Sequence, residues 1–542
     1  MKFRLNKNNF NWMDILAVIL PLTFYFILTI PLFNWVIDDA GISYVYARNL
    51  ASGHGLVSQP GLEPVEGYSN PLWIFLLTPF FAAGVFDPFI VPKVISLLLV
   101  GVSFYFLHRV VQLLTDSKFL ISLIVLSFIV GNTAFVAWTC SGLENALLVA
   151  LVSALLYMSI TTTPAKSLSK KKCIVAGLIA GGIALTRPDG LVYLIVFPIA
   201  ALLANFPPHR QKLVTLIKLL SVFFVTFAAT YGSYLFFRLL YFHNIFPNTY
   251  HAKGGPTFSI VLDALTLQQF YSNKLQEILQ SIFGAKLWVL IPVIIFIRII
   301  QVSLQKKSFW RELVLIITVS ISVFTYLIVI NDWMGEYRLA TVFFPLLYAL
   351  LGIAVYQSVS ALRVDSKIKI AVATFILILL AVGSLKVHSR RLSQFIESPP
   401  VSFASVGERY GAKFNHYADS LGLTNASFLL SDIGGALYYS ELRIYDFAGL
   451  CDPIIARTMR QDRPRFLDYI FEEVKPTFIH THGWFTTTAR FHEDARFQRD
   501  YVAILEYEDK YAEERLKRKI KAGNYVRRDA LTSGSDNTTL NK

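Results

Sequence analysis

Most of the chain alternates long apolar runs with short polar interruptions. Runs of roughly 18–22 apolar residues cross a bilayer core. Such runs fall near 14–33, 89–108, 118–138, 144–161, 173–186, 190–206, 213–240, 285–303, 311–330, 338–358 and 368–385. The pattern predicts about eleven spans, an odd number that puts the two ends of the chain on opposite sides. Pro71 to Phe86 is shorter and contains Pro79, so it is expected to be a partial or interfacial helix. Thr257 to Phe283 is amphipathic and Gln-rich, the pattern of a helix lying along an interface. After about Ser384 the pattern changes to short strand-like runs (SFLLSD, LRIYDF, TFIHTHG, YVAILEYE) between helical or turn-rich pieces. That alternation predicts a small α/β domain, followed from Leu531 by a tail of disordered composition.

Composition agrees. The chain of 542 residues is 54% hydrophobic and only 16% charged, too little charge to cover a soluble domain of that length. The first run contains Pro21 and lacks a small-residue cleavage site, so it reads as an uncleaved helix. The net charge of +14 needs no nucleic acid, because much of it sits in short loops where it sets orientation. The basic loops Lys166 to Lys172, Pro207 to Lys212, Gln305 to Arg311 and Ala361 to Lys369 are then cytoplasmic, as is the N-terminus. The loops between them face outward: SGLEN (Ser141 to Asn145), TRPDG (Thr186 to Gly190), FPNTYHAK (Phe246 to Lys253) and NDWMGEYR (Asn331 to Arg338). Every loop with mixed charge, Trp, Tyr, Asn or His falls on that outer face. Three cysteines give neither a metal-site spacing nor a disulfide framework.

One further outer stretch follows the first span directly, Asp38 to Asn70. It opens with adjacent carboxylates, Asp38 and Asp39, then carries Arg48 and a second acidic pair, Glu63 and Glu66. A carboxylate at the exit of a helix can act as general base on an acceptor hydroxyl; its neighbour could bind a metal or a sugar hydroxyl. The plainer reading is an acidic helix flank. Arg187, Lys253 and Arg338 are outer cations, against the usual loop bias. They need partners: a phosphate gripped by guanidinium or lysine, or carboxylates such as Asp189 and Glu336. Glu144 stands at a helix start, where capping explains an acid equally well. His243 and His251 bracket FPNTY, and lone histidines are more often plain hydrogen-bonding residues than ligands, so no metal is assigned to them; His480 and His482 could meet the substrate, and an ordinary strand end explains them equally well.

The stretch DDAGISYVYARNLASGHGLVSQPGLEPVEGYSNPLW resembles the first extracytoplasmic loop of bacterial GT-C glycosyltransferases. Its pattern is similar to that of terminal arabinofuranosyltransferases of mycolic-acid-containing bacteria and their relatives. SGLEN, LTRPDG, FRLLYFHNIFPNTYHAK, NDWMGEYR and GGALYYSELRIYDFAGLCD follow in order. Two positions depart: Asn145 where the family pattern has Thr, and Gly41 where it has an aromatic residue. The resemblance implies a membrane all-α GT-C fold with an extracytoplasmic C-terminal α/β domain. The expected domains are 1–385 spanning, with a catalytic first periplasmic loop 34–70, 386–530 periplasmic, and a tail 531–542.

It also implies a multi-pass protein of the bacterial inner membrane, with active site and C-terminal domain periplasmic. The activity implied is inverting transfer of one sugar from a polyprenyl-phosphate carrier to an envelope glycan, lipid or protein. In that picture Asp38 takes the base position with Asp39 beside it. Arg48, Glu66, Tyr68, Asn70, Glu144, Arg187, Lys253, Asp332 and Arg338 are the expected donor-binding residues. A divalent cation is left open. The rival class is a transporter or flippase of lipid-linked sugar, but no inverted repeat is found and the polar motifs gather on one face rather than at mid-membrane.

Overall fold

A computed structural model describes residues 12–115, 119–162, 168–205, 210–255, 258–284, 286–305, 309–329 and 333–531. Asp332, the tail after Leu531 and parts of three basic loops lie outside the described residues. The chain forms two compact units, each assembled from separated segments. One comprises Met1–Asn34, Phe89–Tyr234 and Pro256–Pro400; the other comprises Trp35–Pro88, Leu235–Gly255 and Val401–Lys542. Along the chain the last change from one unit to the other falls after Pro400. The opening stretch and the Leu235–Gly255 segment fold with the C-terminal residues.

The first unit is helical. Six helices among the described residues, one of which (Leu213–Phe242) continues into a segment of the other unit, are long and apolar enough to cross a membrane: Trp12–Leu32, Val91–Leu114, Leu213–Phe242, Trp310–Ile328, Phe343–Ser360 and Ser366–Glu397. Shorter apolar helices, among them Asn145–Ile160 and Pro188–Ala204, fall where other spans were expected. Leu98, Val225 and Phe375 point outward on the long helices and stay exposed, as lipid-facing side chains do. The run expected to span 118–138 is two helices, Phe119–Val130 and Thr133–Thr139, bent by 71°. Asn132 makes the break: its side chain accepts from Phe135 N–H and donates to the Tyr348 hydroxyl. The buried ring of His388 completes the node against Asn132 and Thr133.

The second unit carries a five-stranded sheet, β1 (Ser427–Leu430), β2 (Arg443–Asp446), β3 (Phe478–Thr481), β4 (Tyr501–Glu508) and β5 (Lys521–Arg527), in the order β2-β1-β3-β5-β4. The first three are parallel, with Leu430 opposite Asp446 and Phe428 opposite Phe478. The other two pair antiparallel, with a bulge between Ala503 and Leu505. The four strand-like runs read from sequence are β1 to β4. The fifth, KAGNYVR, was not visible because Gly523 and its two basic residues, Lys521 and Arg527, break its alternation. One side of the sheet packs a core of Leu429, Phe447, Ile455, Phe466, Ile479 and Phe491.

Within this unit the opening stretch is a helix before it is a loop. Asp38–Ala51 is helical, and ten of its fourteen residues are buried. Gly41, Ser43 and Asn49 are weak helix formers, so packing rather than propensity decides its conformation. Its polar composition is what made it look like a loop.

Candidate active site

In open α/β sheets, ligands gather outside the carboxyl ends of parallel strands. Here β1 runs into Ser431-Asp432 and then the short helix Gly434–Tyr439, while β3 runs into His482-Gly483. The helix Asp38–Ala51 clamps that short helix at both ends. The Asp38 carboxylate accepts from Gly434 N–H at 3.0 Å and Gly435 N–H at 2.7 Å. At the other end the Arg48 guanidinium donates to the carbonyls of Tyr438 and Leu437, at 2.9 and 3.3 Å, and lies over the Tyr438 ring. Acid at a helix start and cation at its finish is the arrangement the peptide dipoles favour.

The clamp requires glycine. A Cβ on Gly41 would lie 2.5 Å from the Gly434 carbonyl carbon, and one on Gly434 would lie 1.8 Å from the Asp38 carbonyl oxygen. A Cβ on Gly435 would lie 2.2 Å from the Phe403 carbonyl oxygen. The departure from the family pattern at Gly41 thus has a physical reason: an aromatic side chain has no room there.

The two acids differ sharply. Asp38 is 3% exposed with both oxygens turned to main-chain N–H groups. Burial pushes its carboxyl well above the usual range, the Gly435 N–H pulls it back, and the charges of Asp432 and Asp39 push it up again. Asp39 is half-buried.

Asp432 is a partner that sequence reasoning missed. It lies within 3.2 Å of the His482 Nε2, which also meets the Ser431 hydroxyl at 2.9 Å. Burial would lower the His482 imidazole, but the hydrogen bond and charge of Asp432 raise it above its ordinary value. His480 is the opposite case: buried between the Tyr410 hydroxyl and Asn524, it is pushed down to about 4 by burial. A strand pattern gives both histidines the same environment; only the end of β3 separates them.

The remaining expected residues of this unit hold the loop. Glu66 is buried in a two-pronged ion pair with Arg238, at 2.6 and 3.1 Å. Asn70 bonds Ser43, and Tyr68 packs edge-on against Tyr46 and Phe242. Asn248 donates to the carbonyls of Gly449 and Leu450, tying FPNTYHAK to the LCD segment. Lys253 is exposed at the end of the helix Asn248–Lys253. Arg238 was unremarkable in sequence, since an arginine in an apolar helix carries no label for its partner.

In the helical unit, three other motifs meet. Arg187 pairs with Glu144 at 3.1 Å and Asp189 at 2.9 Å. Asn145 donates to the Arg338 carbonyl and the Thr341 hydroxyl. Trp138 donates to the Glu336 carbonyl, and Glu336 pairs with Arg391. Glu144, Arg187 and Arg338 thus belong to the helical unit, and Asp38, Asp39, Arg48, Glu66, Tyr68, Asn70 and Lys253 to the sheet-bearing one. Among the described residues, no group of three or more His, Cys, Asp and Glu side chains is placed to hold a metal ion. Cys140, Cys173 and Cys451 are free thiols.

Comparison with known proteins identifies the fold. An oligosaccharyltransferase, AglB from Archaeoglobus fulgidus, solved with an inhibitory peptide and a dolichol-phosphate, aligns with TM-score 0.53 and 11% identity. The alignment covers 96% of this chain and 77% of that one. The apo form of the A. fulgidus oligosaccharyltransferase aligns at 0.50 with 12% identity, over 89% and 70% of the two chains. ArnT from Cupriavidus metallidurans in the apo state aligns at 0.53 with 10% identity, over 96% and 98%. These are GT-C structures, and the chain has the GT-C fold: a multi-pass membrane protein with a small C-terminal sheet domain. Residues 410–528 match a family described as a domain of unknown function (DUF8728). No curated protein matches the chain.

Proposed function

We propose that the protein is a membrane glycosyltransferase that moves a sugar from a polyprenyl-phosphate carrier to an envelope acceptor on the extracytoplasmic face. The observation that carries this reading is the acid pair at the start of Asp38–Ala51, one carboxylate locked and the other half-exposed, on a GT-C fold. Two supports accompany it. A structural neighbour was solved with a dolichol-phosphate, and the helical unit holds a cavity of about 410 Å³ lined by apolar side chains such as Leu265, Leu279, Ile291, Val323 and Leu347. A prenyl chain suits such a lining.

In this mechanism Asp39 is the general base. It takes the proton of the acceptor hydroxyl as that oxygen bonds to C1 of the sugar. The bond from C1 to the phosphate oxygen breaks, and polyprenyl phosphate leaves with the electron pair. Attack opposite the leaving group inverts C1. Asp38 is a positioning residue: its oxygens are occupied by Gly434 and Gly435, so it sets the helix from which Asp39 projects. Lys253, an exposed cation of this unit, is offered to the leaving phosphate, where a fixed positive charge lowers the barrier.

The test is release of polyprenyl phosphate by lipid-reconstituted protein offered a panel of polyprenyl-phosphate sugars and an envelope extract. Release that vanishes in Asp39→Asn supports the reading. Carriage of the lipid-linked sugar across the bilayer, without release and unchanged in Asp39→Asn, would hand the protein to the transporter class.

A further inference from the structure

A second concavity in the sheet-bearing unit plays no part in the mechanism above. It has a volume of about 300 Å³, the lower end of the range for small-ligand sites. Its walls come from the segment after the first-acid helix (Gln59, Glu63), from β2 (Arg443, Tyr445), and from Asp452 and Tyr469. Ile433 and Leu437, flanking and within the short helix Gly434–Tyr439, and the Asp446 side chain also line it.

The polar groups are held in place before any ligand arrives. The Arg443 guanidinium lies 5.2 Å from the centre of the Tyr445 ring. The Tyr469 hydroxyl donates to one Asp452 oxygen at 2.9 Å, while the other oxygen accepts from Ile454 and Ile455 N–H. Gln59 donates to the Ile444 carbonyl at 2.8 Å and accepts from its N–H at 2.9 Å. That last contact closes the main chain of the edge strand, so a peptide cannot dock there by adding a strand.

What is left for a ligand is an aromatic ring, one cation, and the exposed Glu63 carboxylate. Acids outnumber the single cation on the walls, which disfavours phosphate- or carboxylate-bearing ligands. Hydroxyl groups, which both donate and accept, match such a set. The short helix is the shared wall: its Gly434 and Gly435 N–H groups hold Asp38, and Leu437 lines the cavity. Six residues of helix span about 9 Å, the reach of one or two sugar rings.

We propose that this cavity binds a neutral saccharide, the non-reacting part of the acceptor, and so sets which hydroxyl meets the acid pair. The inference rests on the glycosyltransferase reading for its role, though not for binding itself. The experiment is ligand-observed saturation-transfer NMR on the full chain in nanodiscs, with neutral di- to tetrasaccharides of pentose, hexose and N-acetylhexosamine and the phosphorylated forms of the same saccharides. Arg443→Ala, Glu63→Gln and Asp39→Asn are run in parallel, with thermal unfolding as a folding control.

The expected result is binding by wild type and Asp39→Asn. Arg443→Ala and Glu63→Gln should bind about tenfold more weakly, the loss of a hydrogen bond to a charged group, with unchanged unfolding temperature. Equal binding by all four proteins, or binding only of phosphorylated saccharides, would overturn the proposal. Saccharide binding that depends on Arg443, in a wild type that releases no polyprenyl phosphate from any donor, would keep the subsite and overturn the transferase reading instead.

Discussion

The polar motifs of this protein settle into two groups held in opposite ways. In the helical unit, charge meets charge: SGLEN and TRPDG are joined through Arg187, shared between Glu144 and Asp189, and Glu336 of NDWMGEYR pairs with Arg391. In the sheet-bearing unit, the opening stretch, FPNTYHAK and GGALYY through LCD are joined mostly by side chains on main-chain groups: Asp38 on Gly434 and Gly435, Arg48 on Tyr438, Asn248 on Gly449. The first kind of contact satisfies charges with one another. The second uses one acid to hold a helix and leaves its sequence neighbour half-exposed. A motif rich in charge is therefore a poor guide to reactivity; the identity of the partner decides it.

The largest effect expected concerns the half-exposed acid. Asp39→Asn should lower polyprenyl phosphate release by about 10²- to 10⁴-fold, the usual contribution of a general base, with an unchanged unfolding temperature. A change of less than threefold, on the order of 0.7 kcal/mol, would remove Asp39 from the base role. In the helical unit the effect should fall on stability instead. Arg187→Ala leaves the buried Glu144 and the half-buried Asp189 without their cation and should cost about 3–5 kcal/mol, read as a lower unfolding temperature; a folded, equally stable variant would break this contrast.

Smaller effects sharpen it. Gly434→Ala places a methyl against the Asp38 carbonyl and should cost about 1–3 kcal/mol, with activity falling as the clamp opens. Asp38→Ala frees two main-chain donors and should cost about 0.5–2 kcal/mol in denaturant unfolding, with catalysis reduced less than in Asp39→Asn. If Asp38→Ala abolishes turnover while Asp39→Asn keeps it, the roles of the two acids are exchanged.

The smallest effect is pH-dependent. Asp432 raises His482 above its ordinary value, so this pair stabilises the fold fully below about pH 6.5 and loses that contribution as pH rises through the raised value. Asp509 and His480 also face this imidazole. The stability gap between wild type and Asp432→Asn should be below about 1 kcal/mol, since the pair is partly exposed, and should shrink above neutrality. A gap that widens at alkaline pH would reverse the assignment.

Much of the fold was legible because its signals are local. Apolar runs announce helices long enough to span, and four of five strands announce themselves by composition. The failures were of two kinds. The run 118–138 is broken at Asn132, whose partners Tyr348 and His388 lie more than two hundred residues away. The helix Asp38–Ala51 reads as a loop because its polar residues are paid for by burial against distant segments. Of the expected site residues, Arg48 and Glu66 are charged, as read, but their partners are a helix end and Arg238 rather than open space.

By itself the sequence determined the class: the number and length of its apolar runs, the polar clusters and the change to an α/β pattern near Ser384 are properties of neighbouring residues and survive in a one-dimensional reading. Tertiary structure alone decided which acid is held and which is half-exposed, which histidine is buried and which faces an aspartate, and that the opening stretch folds with the C-terminal sheet. The acid's role depends on hydrogen bonds between residues some four hundred positions apart, Asp38 with Gly434 and Gly435, and the histidines' on partners in other strands and loops; no local pattern encodes the partner of a buried charge.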